Sequence, residues 1–511
     1  MRIKFVASVV SLVVSLVALS SLPAPALAQR GGPPAATPPP SKDGELLDLP
    51  PLPPEASAKQ VTHVAGKTLN YTASVGALPV LDEKGRKIAE VVYTAYILDG
   101  PRDPRRPVTF AFNGGPGAAS VYLNLGAIGP KRVQFGAMGD SPSDATGMID
   151  NPGTWLDFTD LVFIDPVDTG FSHTFLPDDQ AKGRFFTVKS DIDYLSRIVF
   201  DWLVKNQRMA SPKYVVGESY GGFRAPRIAH TLQTDLGVGV TGVTMVSPFL
   251  DAASWSGGDF SPMPWVVLLP SMTASNLERH GKLTPEAISE VETYARTEYA
   301  TALLSGWRDQ AVLDRMVQKV ADYTGLDPVL VRRWGGRIDS RAFLRELYRD
   351  TGKLGSWYDP NVTSTDPFPW AVNQRVNDPI LDQIIAPTTS AMVDFDTRVL
   401  GWKVQGRFEP LSNKVGRAWE PGWAQTAESV SDLRGALAVD PKMKVLILHG
   451  YDDLSCPFFV SQLAIDQIPP SVKGDAGRLQ LHLYPGGHMF YSRPDSQAQM
   501  RRDVMTMYGA R

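Results

Sequence analysis

Six residues constrain this chain more than any others: Gly217-Glu218-Ser219-Tyr220-Gly221-Gly222. They sit between the apolar run Tyr214-Val215-Val216 and a run at helical spacing through Phe223, Ile228, Ala229 and Leu232. A strand that turns sharply into a helix throws one side chain up and out of the backbone, and small flanking glycines make that turn sterically possible. Here the side chain thrown out is the hydroxyl of Ser219. The N–H of Tyr220 then points at any oxyanion formed on a carbonyl that Ser219 attacks. A Gly-x-Ser-x-Gly is also what a purely structural turn ahead of a helix looks like, so the weight falls on the remainder of the chain.

That remainder alternates. Asn70 to Ser74 and Lys87 to Ile97 read as strands with Gly85 in the turn between them, an antiparallel opening to a fold whose order is expected to begin near Val61. Val108 to Phe112 is a continuous apolar run that ends in the tight loop Asn113-Gly114-Gly115-Pro116-Gly117, and Leu161 to Ile164 is another, ending in Asp165-Pro166. Ile192, Leu195, Val199, Trp202 and Leu203 recur at helical spacing, then strands follow at Lys213–Val216 and Val240–Val246. The alternation lapses from about 251 to 380, where Thr284 and Pro285 make an N-cap and first helical position and further helical stretches run at Leu313–Tyr323 and Ser340–Arg349. It resumes with strand Val445–Leu448, a helix after Pro457, strand Leu479–Tyr484 and a helix from Pro494. The expected class is α/β: a mostly parallel central sheet with helices on both faces and a helical cap insertion. One domain is expected over 61–511, with the insertion at about 251–380.

The N-terminus reads as an address. Arg2 and Lys4 precede an apolar run from Phe5 to Leu19, and Ala26-Leu27-Ala28 offers small residues at a cleavage site, so 1–28 is expected to be a signal peptide cut before Gln29. The run is short for a membrane span and Pro23 and Pro25 interrupt it, so no stable membrane association is expected after cleavage. Residues 29–60, rich in Pro and Ala, read as a linker. The protein is expected to be exported, periplasmic or secreted. A net charge of −3 with no basic run argues against nucleic acid as a partner. The single cysteine, Cys456, excludes an intramolecular disulfide and a cysteine zinc cluster, and the seven histidines show no ligand spacing. No metal and no cofactor are expected.

A serine hydroxyl at neutral pH is a poor nucleophile and needs a base, which in turn needs an orienting carboxylate. On a sheet of this kind both lie at the carboxyl ends of later strands, in chain order Ser, Asp, His. The strand Val445–Leu448 runs into His449-Gly450-Tyr451-Asp452-Asp453, and Leu479–Tyr484 into Pro485-Gly486-Gly487-His488-Met489.

With these blocks in view the chain resembles the serine carboxypeptidase family of the α/β-hydrolases, including its bacterial members. The resemblance rests on Asn113-Gly114-Gly115-Pro116-Gly117; on Asn151-Pro152 with Trp155, Phe163-Ile164-Asp165-Pro166 and Gly170-Phe171-Ser172; on Gly217 to Gly222; on Asp453 with Cys456-Pro457; and on Gly487-His488-Met489. It implies an α/β-hydrolase fold and a carboxypeptidase that releases C-terminal residues from peptides through an acyl-enzyme. Ser219 is then the nucleophile, His488 the base and Asp453 its orienter. Gly115 and Tyr220 supply the oxyanion hole. Asn113 and Glu218 hold the substrate's terminal carboxylate, with Cys456 and Met489 also at the substrate site. A protonated Glu218 donates to a carboxylate, whereas an ionised one repels it.

Three positions depart from the family's pattern. Tyr451 stands where an aspartate usually follows the glycine, Ala118 where a cysteine follows the Gly-Gly-Pro-Gly turn, and Ala127 where a glutamate of the carboxylate-binding network is usual. Asp453 is preferred to Asp452 because its spacing to Gly450, Cys456 and Pro457 fits. His449 and His482 read as structural, and Cys456 equally as an inert buried thiol. An esterase or acyltransferase would use the same triad, and a non-catalytic peptide-binding protein would keep the same pocket. The oligomeric state is not legible.

Overall fold

Because the apolar runs at Val108–Phe112 (β4), Asp160–Ile164 (β7), Lys213–Glu218 (β9) and Gly242–Val246 (β10) are buried at every residue, they form the middle of a sheet covered on both faces. The computed structural model describes residues 45–101, 103–134, 143, 146–255, 260–371 and 378–510. The expected signal peptide and the first part of the expected linker, through residue 44, lie outside the described residues.

The strands preceding β4 are β1 (Ala56–Val64), β2 (Lys67–Leu81) and β3 (Lys87–Leu98). A small hairpin of β5 (Lys131–Gln134) and β6 (Gly147–Asp150) precedes β7, and β8 (His173–Thr174) follows it. After β10 come the short pair β11 (Lys353–Gly355) and β12 (Thr363–Thr365), then β13 (Lys444–Gly450) and β14 (Leu479–Tyr484). The main sheet runs β1-β2-β3-β7-β4-β9-β10-β13-β14, with β8 pairing β3. Its first side is antiparallel and everything from β7 to β14 is parallel.

The first strand therefore begins at Ala56, ahead of the expected start near Val61. The reason is edge pairing. Ala56 lies opposite Val75 and β1 alternates its exposure along the strand, so it gains a ladder without contributing a continuous apolar run.

Two apolar layers sandwich the sheet. One packs Ile192, Leu195, Val199 and Trp202 of the helix Val188–Lys205 and Phe223 and Ile228 of the helix Tyr220–Thr234 against Phe110, Val215 and Met245. The other packs Leu123, Trp155, Phe490 and Met500 against Ala111, Val216 and Leu446. A third cluster, of Leu269, Met272, Val291, Val317, Val320 and Phe343, belongs to the stretch between β10 and β13 and reaches Phe458 and Phe459.

That stretch contains Pro285–Tyr294 with Thr284 as N-cap, Gln310–Thr324 and Ser340–Glu346, near the expected positions. It also contains Met263–Arg279, which the sequence reading left unassigned. Most of that helix from Val266 to Asn276 is buried, so no polar face marks its period, and Pro262, Pro264 and Pro270 look like breakers. Helices continue past 380 as Pro379–Asp394 and Val430–Val439, so the sheet resumes only at Lys444. Among the described residues no helix is long and apolar enough to cross a membrane.

Candidate active site

Parallel pairing brings strand ends to one edge. Phe112 lies beside Gly217, Glu218 beside Val246, and Val246 beside Leu448, so the loops after β4, β9, β10 and β13 all emerge together. This is the edge at which open parallel sheets present their ligand sites.

At the end of β9 the chain makes the expected elbow. Ser219 has φ 61° and ψ −124°, a strained left-handed conformation for a residue with a side chain, and it directly precedes the helix Tyr220–Thr234. The glycines around it are sterically required. A Cβ on Gly217 would lie 1.8 Å from the Gly221 carbonyl oxygen, and one on Gly221 would lie 2.2 Å from that of Phe112. The Ser219 N–H donates to the Val246 carbonyl (3.0 Å), and its own carbonyl accepts from Gly222 and Phe249. Tyr220 is the first helical residue, so its N–H has no partner one turn back.

The Asn113–Gly117 loop lies directly on this elbow: a Cβ on Gly114 would come within 2.5 Å of the Tyr220 nitrogen and 2.8 Å of the Ser219 Cβ. Gly115, with φ 100°, is exposed beside it. Below the loop Arg224, fully buried, donates to both oxygens of the buried Asp191 (2.7 and 3.2 Å) and to the Asn113 carbonyl (2.7 Å).

His488 lies on the loop after β14. Its Nδ1 is 2.7 Å from Asp453 Oδ2, while Asp453 Oδ1 accepts the N–H groups of Ser455 and Cys456, both at 2.8 Å. The His488 N–H donates to the Tyr358 carbonyl (2.6 Å), its carbonyl accepts from Ser247 Oγ (2.8 Å), and the Tyr358 ring lies 5.1 Å from the imidazole. Burial alone would push the imidazole pKa down, but the Asp453 carboxylate outweighs it and holds His488 well above the ordinary range. Burial pushes Asp453 up, and the imidazolium pulls it back.

Of the two aspartates it is Asp453 that meets His488. Asp452 is turned instead toward Glu278, Asp359, Asn361 and Arg493. Asn361 is engaged there too, its amide nitrogen donating to Ser275, Glu278 and Asp452 at 3.2 Å each. Cys456 Sγ lies 4.0 Å from Ser219 Oγ and within 4.8 Å of the Asp453 and His488 side chains, so the thiol ties the serine to the His–Asp pair. Burial pushes that thiol up, keeping it protonated at neutral pH. Met489 is half-buried at the start of the turn Phe490–Ser492.

His449 stands close enough to His488 to feel its charge, and His482 lies on β14. His449 is buried with Nε2 2.8 Å from Ser461 Oγ, and burial pushes its pKa down to about 3. His482 pairs with Asp503 at 3.0 Å.

Glu218 is buried directly behind the serine. It accepts Asn113 Nδ2 on Oε2 (2.5 Å) and the Tyr491 hydroxyl on Oε1 (2.8 Å). Asn113 Oδ1 accepts the Leu123 N–H (2.9 Å), which fixes the amide so that its nitrogen faces Glu218. Burial pushes the Glu218 pKa up, against the pull of His488 and of these two hydrogen bonds. The sequence reading missed Tyr491, Tyr358 and the Arg224–Asp191 pair. The pair left one trace: a charged residue among the apolar positions of each of two helices. The tyrosines left none.

A family model, serine carboxypeptidase, matches residues 93–246. Serine carboxypeptidase-like 9 of Arabidopsis thaliana is 26% identical over 148 residues, covering 28% of this chain and 31% of that protein. Pheromone-processing carboxypeptidase kex1 of Talaromyces stipitatus is 32% identical over 237 residues, covering 45% of this chain and 31% of that protein. The matches thus span about a third of the length of these curated relatives, which are plant and fungal and do not bear on the expected likeness to bacterial members. Among solved structures, Kex1(delta)p, a prohormone-processing carboxypeptidase from Saccharomyces cerevisiae, superposes with a TM-score of 0.53 at 15% identity, over 86% of this chain and 91% of that one. The chain has an α/β-hydrolase fold, and its residues 93–246, which carry Asn113, Gly115, Glu218, Ser219 and Tyr220, match the serine carboxypeptidase family.

Proposed function

We propose that the protein is a serine-type carboxypeptidase that releases C-terminal residues from peptides through an acyl-enzyme. The observation that carries this reading is the adjacency of two machines: a strained serine elbow beside a buried His–Asp pair, and a buried carboxyl held by an amide immediately behind the serine.

Ser219 Oγ attacks the last peptide carbonyl and passes its proton to His488 Nε2, while Asp453 Oδ2 holds Nδ1–H and stabilises the imidazolium. The N–H groups of Gly115 and Tyr220 receive the oxyanion. The leaving amine takes the proton from His488, and water then hydrolyses the ester by the same steps reversed. The terminal carboxylate of the leaving residue meets Asn113 and Glu218, and the raised pKa of Glu218 keeps a proton there for a like-charged group to share. Cys456 and Met489 border the leaving-residue side. A fluorophosphonate probe should label the wild-type protein once, at Ser219, and leave Ser219→Ala unlabelled; labelling of a folded Ser219→Ala protein overturns the assignment.

The helices between β10 and β13 act as a cap over this edge. Export, to a periplasm or the medium, follows from the segment 1–28, with cleavage before Gln29. N-terminal sequencing of the exported protein tests it, and a retained Met1 refutes it.

A further inference from the structure

We infer that two phenols, Tyr122 and Tyr491, determine the specificity of this site for a free terminal carboxylate: Tyr491 positions Glu218, and Tyr122 donates directly to the substrate. The inference rests on the carboxypeptidase reading and names the residues that would make it selective.

Position 127 offers the carboxylate network only a methyl group. Its neighbour Gly126 lies against the Tyr491 ring, where a Cβ would stand 3.4 Å from Cε2. Tyr491 therefore comes from the loop beyond β14 to the segment Leu123–Ile128, and from there it reaches Glu218. With Asn113 on the other oxygen, both oxygens of the buried carboxyl are occupied by donors from different strand-end loops, which fixes its plane and position.

Tyr122 is the second phenol. It is 6% exposed, and its hydroxyl has no hydrogen-bond partner among the described residues. A buried, unpaired O–H carries a full desolvation cost, which a ligand oxygen would relieve. Its position matches that use, since it directly precedes Leu123, whose N–H holds the Asn113 amide that in turn grips Glu218. One N–H of the Asn113 amide is spent on Glu218 and the other remains for the same oxygens. Burial pushes both phenols above the ordinary tyrosine range, so each stays a neutral donor wherever the enzyme works. The titratable groups facing Glu218 are then His488, Asp453, Tyr491 and Tyr122, and only Glu218 and the His488–Asp453 pair change charge between acid and mildly alkaline pH.

The two phenols have separable signatures. A hydrogen bond to a charged group is worth about 10- to 100-fold in affinity. Tyr122→Phe should lower the ratio of kcat/KM for a free-acid peptide to that for its C-terminal amide by about that factor, through KM, and by the same factor at every pH. Tyr491→Phe removes a donor to the ionised form of Glu218, so the Glu218 pKa rises and the falling limb of the free-acid profile moves to higher pH. The experiment is kcat/KM against pH for one peptide as acid and as amide, on wild type and both variants, with circular dichroism as a fold check. General damage lowers acid and amide alike. An unchanged ratio in Tyr122→Phe, or an unmoved limb in Tyr491→Phe, overturns the inference while a selective wild type leaves the carboxypeptidase reading standing. A wild type that does not prefer the acid overturns both.

Discussion

Arg224 and Asp191 face each other with neither side chain more than 1% exposed, and Arg224 spends its remaining reach on the Asn113 carbonyl. In Asp191→Asn the guanidinium keeps its charge and its burial but loses its counter-ion, a change that costs about 3–5 kcal/mol. In Asp191→Leu/Arg224→Met both charges are gone, and the main loss is the partner of the buried Asn113 carbonyl, about 1–3 kcal/mol. The double variant should therefore be more stable than the single one. For a chain of 511 residues the entropy of unfolding near the midpoint is about 1 kcal/mol/K, so each kcal/mol moves Tm by about 1 °C. Calorimetry at pH 7 should place Asp191→Asn about 3–5 °C below wild type and the double variant about 1–3 °C below. The double variant should also show a higher KM for free-acid peptides, because the loop bearing Asn113 has lost its anchor. A single variant within 1 °C of wild type, or a double variant less stable than the single, would refute the view that this pair is held by mutual compensation.

Ser219→Ala should lower kcat by about 10⁶-fold while the fold is retained, since the members of a triad act as a unit; turnover near wild type in a folded variant contradicts it. Glu218→Gln keeps a donor at all pH values and should flatten the falling limb for free peptides, whereas an ester should show only the rising limb set by His488 in both proteins; a falling limb that persists in the variant rules Glu218 out as its source. His449 has a folded pKa near 3 against about 6.5 when unfolded, so the unfolded chain binds the extra proton and stability falls as pH drops from about 6.5 toward 3. His449→Gln, which keeps a donor for Ser461, should gain on wild type by about 3 °C between pH 7 and pH 4.5; an equal acid response in the two proteins refutes it.

What the sequence made legible follows from how each feature is encoded. The central strands are buried on both faces and therefore appear as unbroken apolar runs, and Val108–Phe112 is found at the expected residues; the edge strand Leu479–Tyr484 is found there too, marked instead by its alternation of apolar and polar residues. The elbow is legible because the turn itself forces Gly217, whose Cβ would strike the Gly221 carbonyl within the same six residues, although Gly221 is forced by the distant Phe112 carbonyl. Asp453 and His488 are local in another sense, each lying just past a strand end. Tyr491 reaches a carboxyl 273 residues away, and nothing near either residue announces the contact. The edge strand β1 and the buried helix Met263–Arg279 were missed for opposite reasons, one being too polar to read as a strand and the other too apolar to show a period.

If the site works as proposed, it shortens peptides from the end that carries a free carboxylate. A mass-spectrometric time course on a mixed-sequence peptide pool, half of it amidated at the C-terminus, measures this directly. Stepwise loss of C-terminal residues from the free acids is expected, with much slower loss from the amides and none of either with Ser219→Ala. Shortening from the N-terminus, internal cleavage, or equal loss from acids and amides would contradict the proposal.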